Sequence, residues 1–154
     1  MKKKIKKMTR WGIGPEFAIW TLVYSAIVYL VHTQFLPTWE FAGFKTIGIA
    51  LIVVGFLLFI YPAVTIDKYF NEGRLRTRGL YSIVRHPIYA AWIIFIIPGI
   101  VIYSGSTLAI TIPFVAYLIL KKLLHVEEDY LQRKFGKAYV CYKADVNAVF
   151  PKLF

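Results

Sequence analysis

Arg85 and His86 stand directly before Pro87 and a long apolar run, and two adjacent carboxylates, Glu127 and Glu128, follow the next apolar run. The residue before a proline is biased out of the helical region and proline suits a first helical turn, so His86 is expected at the N-cap of a helix starting at Pro87. There the ring faces the positive end of a helix dipole and whatever anion binds it. The stretch LKKLLHVEEDYLQRKF, residues 120–135, is helical in pattern. At about 100° per residue, Leu120, Leu123, Leu124, Leu131 and Phe135 form one stripe. Glu127 falls in its middle and Glu128 at its edge, while Lys122, His125, Asp129, Gln132 and Arg133 point the other way. A carboxylate in an apolar stripe is costly unless paired, so Glu127 needs a cation: Arg85 or Arg78 of the protein, or the ammonium of a ligand. Arg74, Arg76 and Arg78 lie in a loop with Gly73 and Gly79 as turn residues, where they serve either anionic headgroups or a bound molecule. A basic, His-bearing cap facing a carboxylate suits a zwitterionic ligand.

The elements that must position these groups are membrane helices. The chain is 58% hydrophobic and 18% aromatic, with a mean hydropathy of +0.59, outside the soluble range. Four charge-poor runs predict spans near residues 16–32, 46–66, 87–103 and 106–122, with Trp11, Trp20, Trp39, Tyr61 and Tyr103 as interfacial aromatics. The first run is long and no small-residue cleavage site follows it before the next, so it is expected to stay as a helix. Of the 19 Lys and Arg, six lie before the first span, five in the loop 67–86, seven from Lys121 onward and one, Lys45, elsewhere. That split predicts an all-α integral membrane protein with both termini cytoplasmic, and the tail 123–154 completing the site. The short turn at Ser104–Ser106 makes spans three and four a hairpin, bringing His86 and Glu127 together. The net charge of +11 is therefore topology, and no basic face interleaved with stacking aromatics points to nucleic acid. The single cysteine, Cys141, excludes an internal disulfide, and no Cys/His spacing suggests a metal. A single membrane domain is expected over 1–154.

Residues Gly79 to Tyr89 (GLYSIVRHPIY), and after two spans Glu127 to Lys143 (EEDYLQRKFGKAYVCYK), resemble the isoprenylcysteine carboxyl methyltransferase family of integral membrane enzymes. The resemblance implies methyl transfer from S-adenosylmethionine, leaving S-adenosylhomocysteine, to a lipophilic small molecule or lipid entering from the bilayer. It implies that the loop stretch Arg74, Leu75 and Arg76, together with Tyr81, His86, Pro87, Ile88, Tyr89, Glu127 and Glu128, lines the cofactor. Glu127 would then hold the ammonium, His86 and nearby arginines the carboxylate, and Tyr81 or Tyr89 would pack on adenine or sulfonium. His86 and Glu127 act by positioning, because the sulfonium itself activates the methyl group and no metal or nucleophilic residue is needed.

One position departs from that family. Four residues before Glu127 its eukaryotic members carry a substrate-assigned arginine, and here Leu123 stands there; Lys122 and His125 are the nearby polar candidates for the acceptor. Two rival activities share parts of the pattern. A phospholipid (ethanolamine) N-methyltransferase would use a similar loop and glutamate pair. An NADPH-dependent sterol-type reductase has a related RHP-x-Y pattern, against which Ile88, Ala90 and Ala91 count. A scaffold without catalysis would make Glu127 a structural ion pair. The Lys-rich chain is expected in a prokaryotic inner membrane, with its site on the cytoplasmic side.

Overall fold

Apolar runs in a bilayer must satisfy their own backbone, and a helix does so within one segment. The computed structural model describes residues 11–35, 42–71 and 73–152, without the side chains of 42 and 66–71. The expectations for Lys2, Lys3, Lys4, Lys6, Lys7, Arg10, Trp39 and the side chain of Lys68 fall outside this description. Helix α1 is Gly14–Phe35 and α2 is Ala42–Asn71. The third span, α3, covers Pro87–Ser104, α4 is Thr111–Phe135, and α5 is Lys137–Asp145. Short 3-10 turns stand at Gly79–Ser82 and Leu108–Ile110. Four of these helices are long and apolar enough to cross a membrane, and no strand occurs among the described residues.

One boundary differs from the sequence expectation, since helix α2 continues past residue 66 to Asn71. The helical pattern expected over 120–135 is continuous with the fourth span in one helix from Thr111 to Phe135, with Lys121 and Lys122 on its exposed side. The hairpin between α3 and α4 is confirmed, closed by Gly105 in the left-handed region at φ +65°, where a side chain would be strained.

The seam between α2 and α3 is set by glycine. A Cβ on Gly48 would stand 2.7 Å from the Gly99 carbonyl oxygen, one on Gly99 would stand 2.8 Å from that of Gly48, and one on Gly55 would stand 2.6 Å from Ile96 Cγ1. Small residues let membrane helices approach to backbone contact, where dispersion replaces the missing hydrophobic drive. Gly55 is thus a packing residue, and Pro62, fully buried, sits within a helix that continues through it. Within α3, residues Ala91–Ile96 form a π-helical stretch, which adds a residue to one turn. Trp92 and then Ile97 and Ile100 consequently face a cavity, while Ile96 and Gly99 turn to α2.

Helix α1 packs chiefly on α4 and on Leu108–Ile110, with Tyr24 donating a hydrogen bond to Thr111 Oγ1 at 3.0 Å. The beginning of α1, the beginning of α3 and the end of α4 meet at one end of the bundle. Gly48→Ala should destabilise by about 1–3 kcal/mol through overpacking, seen as a lowered thermal unfolding midpoint in detergent. Gly43→Ala, with nothing within 4 Å of the added carbon, should not lower it.

Candidate functional site

His86 is the N-cap of α3, with φ −123° and ψ 68°, and Pro87 occupies the first helical turn, as the dipeptide dictates. The loop before it is held in place by the chain's C-terminal segment: Arg85 N–H donates to Asn147 O at 2.8 Å and His86 N–H to Ala148 O at 2.9 Å. Val149 is buried in the core behind this bridge. Gly73 at φ +63° and Gly79 at φ +68° supply the turns expected for the loop. Arg76 lies over the rings of Tyr81 and Tyr61, 4.9 and 5.2 Å from their centroids, and donates a hydrogen bond to Thr65 Oγ1 of α2. Tyr142 of α5 donates to Tyr81 O at 2.5 Å. Burial pushes the Tyr81 phenol up to about 12 against the pull of Arg76, so it remains a neutral ring and donor.

The two glutamates divide the work in the opposite sense to the stripe argument. The buried line on α4 is Ala116, Leu120, Leu124 and Glu128, a four-residue spacing. Glu128, expected at the edge, is 7% exposed and binds Arg85 Nη2 at 2.5 Å and Lys143 Nζ at 2.7 Å. It does not line the cavity, and Arg85 pairs with it rather than with Glu127. Arg85 also donates to the Val146 and Lys143 carbonyls, which ties the loop to the C-terminal segment. Glu127 accepts from Ile13 N–H at 3.2 Å and Tyr89 O–H at 3.0 Å, both on Oε2, while its Oε1 stands 3.4 Å from His86 Nδ1.

The His86 ring therefore does not await an anion from a ligand. It lies between two protein carboxylates, with Nε2 3.6 Å from Glu128 Oε1. Burial disfavours its charge, but hydrogen bonding and attraction from Glu127 and Glu128 outweigh that and raise its pKa above the ordinary value. Arg78 makes no part of the cavity wall. Lys122 and His125, the polar candidates for an acceptor, are exposed and do not line the cavity; Lys122 lies opposite the buried line of α4 and His125 about 100° round from Leu124.

A cavity of about 450 Å³ lies at this end of the bundle, and Arg74, Leu75, Arg76, Tyr81, His86, Pro87, Ile88, Tyr89 and Glu127 all line it. Its size falls in the range of small-molecule sites, about 300–1,000 Å³. Sequence reasoning missed part of the wall. Trp11 and Gly12 come from the turn ahead of α1, Gly14, Phe17 and Thr21 from its start, Lys134 from the end of α4, and Tyr139 and Tyr142 from α5. The Y-x-x-Y spacing of the last two, inside the motif from Glu127 to Lys143, was a usable signal; the α1 residues carry none beyond apolarity. Among the described residues no group of three or more His, Cys, Asp or Glu is placed to hold a metal.

The family model described as phospholipid methyltransferase matches residues 44–138, the stretch holding α2, α3, α4 and the loop between α2 and α3. The chain belongs to the phospholipid methyltransferase family. A protein-S-isoprenylcysteine O-methyltransferase B of Arabidopsis thaliana is 26% identical over 90% of this chain and 75% of its own length. A protein-S-isoprenylcysteine O-methyltransferase of Dictyostelium discoideum is 25% identical over 90% of this chain, which spans 62% of that relative. A nickel-cobalt-cadmium resistance protein of Alcaligenes xylosoxydans xylosoxydans is 27% identical over 95% of this chain and 67% of its own length. The two methyltransferase relatives bear out the resemblance to the isoprenylcysteine carboxyl methyltransferase family, and with the family match they make the protein a membrane methyltransferase.

The ion cluster generates two expected outcomes. Glu128→Gln leaves Arg85 buried beside an uncharged amide and should cost on the order of 3 kcal/mol of stability, measurable as a fall in the detergent unfolding midpoint. Because the His86 pKa is raised by folding, its contribution is fully present below its unfolded value and is lost as pH rises through the folded value. The unfolding midpoint of the wild type should therefore fall across that window, and His86→Gln should flatten this part of the profile.

Proposed function

We propose that this protein transfers a methyl group from S-adenosylmethionine, bound at the cytoplasmic end of the bundle, to the carboxylate of a lipophilic acceptor held in the membrane. The observation that carries the reading is the character of the cavity. At one end it has Glu127, Arg74, Arg76 and the rings of Tyr81 and Tyr89; along its walls, Phe17, Ala18 and Leu22 of α1 face Trp92, Ile97 and Ile100 of α3. At 1.5 Å per residue, the step from Tyr89 to Ile100 takes the apolar wall roughly 16 Å into the span. The 18-to-1 distribution of basic residues supports a cytoplasmic site, here in a prokaryotic inner membrane.

The residues present fit the cofactor. Glu127 is a carboxylate within the cavity for an ammonium, Arg74 and Lys134 on its wall suit a carboxylate, and Tyr81 and Tyr89 offer ring faces to a planar base or a sulfonium. When bound, S-adenosylmethionine supplies a methyl group already made electrophilic by its sulfonium. The chain's own part is to orient both molecules and to exclude water with the apolar walls. His86 contributes by holding Glu127 rather than by taking a proton, since both its ring nitrogens face carboxylates. Carboxylate methylation needs no proton removed, whereas an ammonium acceptor must lose one. The names of the relatives in Arabidopsis and Dictyostelium agree with O-methylation.

The family's description favours one other acceptor, a phospholipid amine. Incubation of the purified protein with radiolabelled S-adenosylmethionine and a lipid extract separates the two: a methyl ester releases methanol on alkaline treatment, and an N-methyl group does not. Alkali-labile label is the expected result. Calorimetry in detergent should show binding of S-adenosylhomocysteine and none of NADPH, with Glu127→Ala and His86→Ala weakening it more than tenfold. Normal binding by both variants would remove the cofactor from this site.

A further inference from the structure

The polypeptide just ahead of α1 lies outside the stretch that matches the family, residues 44–138, yet it touches the carboxylate on the cavity wall, Glu127. Gly14 N–H donates to Trp11 O at 2.9 Å and Phe17 N–H to Ile13 O at 2.9 Å, so residues 11–14 form a tight turn leading into α1. Ile13 and Phe17 are buried, and Phe17 meets the edge of Tyr89 at 6.0 Å. Gly12 has φ +54°, and a Cβ there would stand 2.5 Å from Glu127 Oε2.

We propose that the Trp11–Ile13 turn is a positioning element for Glu127, with Gly12 required for the fit and the Ile13 amide selecting which carboxylate oxygen is left for a ligand cation. A carboxylate oxygen has two lone pairs. Those of Oε2 are taken by Ile13 N–H and Tyr89 O–H, whereas Oε1 has the longer 3.4 Å approach of His86 Nδ1. An incoming ammonium is thereby directed to Oε1, the oxygen beside the α3 N-cap. The assignment rests on the cofactor reading above, and it gives the turn ahead of α1 a role beyond forming part of the cavity wall.

The test uses the full-length protein in detergent. Gly12→Ala should weaken S-adenosylhomocysteine binding at least tenfold. Gly105→Ala also places a side chain at positive φ, +65°, but in the α3–α4 hairpin, outside the cavity wall, and should change binding less than twofold. Wild-type affinity in Gly12→Ala overturns the proposal, as does an equal loss in Gly105→Ala. Hydrogen exchange at the Ile13 amide, without ligand, decides the matter even if Gly12→Ala fails to fold. It should be slow in the wild type and at least tenfold faster in Glu127→Ala, which removes the acceptor, and an unchanged rate overturns the proposal. If the wild type binds no S-adenosylhomocysteine, the cofactor reading fails on its own, while the exchange result still judges the turn.

Discussion

The imidazole of His86, lodged between Glu127 and Glu128, is the contact on which the rest of this end of the bundle depends. Two carboxylates on adjacent residues of one helix repel each other, and burying them is tolerable only if cations reach both. His86 serves the two at once, Arg85 and Lys143 neutralise Glu128 further, and backbone and phenol donors satisfy Oε2 of Glu127. The cluster joins the start of α3, the end of α4, and α5. It gains its geometry from a main-chain bridge, because Arg85 and His86 both donate their amides to Asn147 and Ala148. Such clusters give little net stability after desolvation; what this one secures is a single arrangement of a charged residue inside a cavity.

Much of that arrangement was legible in the residues. His86-Pro87 fixed a helix start, Gly73 and Gly79 fixed turns, and the short Ser104–Ser106 connection required the two polar centres to be neighbours. The roles of Glu127 and Glu128 were not legible, since adjacent helical residues differ by only about 100° and Leu123 and Leu131 blurred the direction of the buried face. The tertiary partner decided it: Arg85 is pinned by carbonyls at Lys143 and Val146, out of reach of any periodicity argument. The same reason hid the role of the Trp11–Gly14 turn: Gly12 and Gly14 mark a turn by their type, but nothing in them names Glu127 as the partner of the Ile13 amide.

The π-helical stretch and the glycine seam solve one problem together. Helix α3 has to present bulk to a ligand on one side and almost nothing to α2 on the other. The extra residue in the turn Ala91–Ile96 rotates the remainder of the helix, so that Ile97 and Ile100 reach the cavity while Gly99 meets Gly48 backbone to backbone. Helices α2 and α3 thereby form a stiff pair. The opposite wall, α1, leans mainly on α4, which leaves the cavity flanked by one rigid face and one that is less tightly bound.

The bridge from Arg85 and His86 to Asn147 and Ala148 also ties the site to a distant part of the chain. The four span-length helices end at Phe135, so none of them needs the later residues for its own backbone hydrogen bonds. The charged end of the cavity does need them, since the loop lies against residues 147 and 148 and Glu128 pairs with Lys143. A lesion downstream of Phe135 therefore reaches the cavity without touching a span.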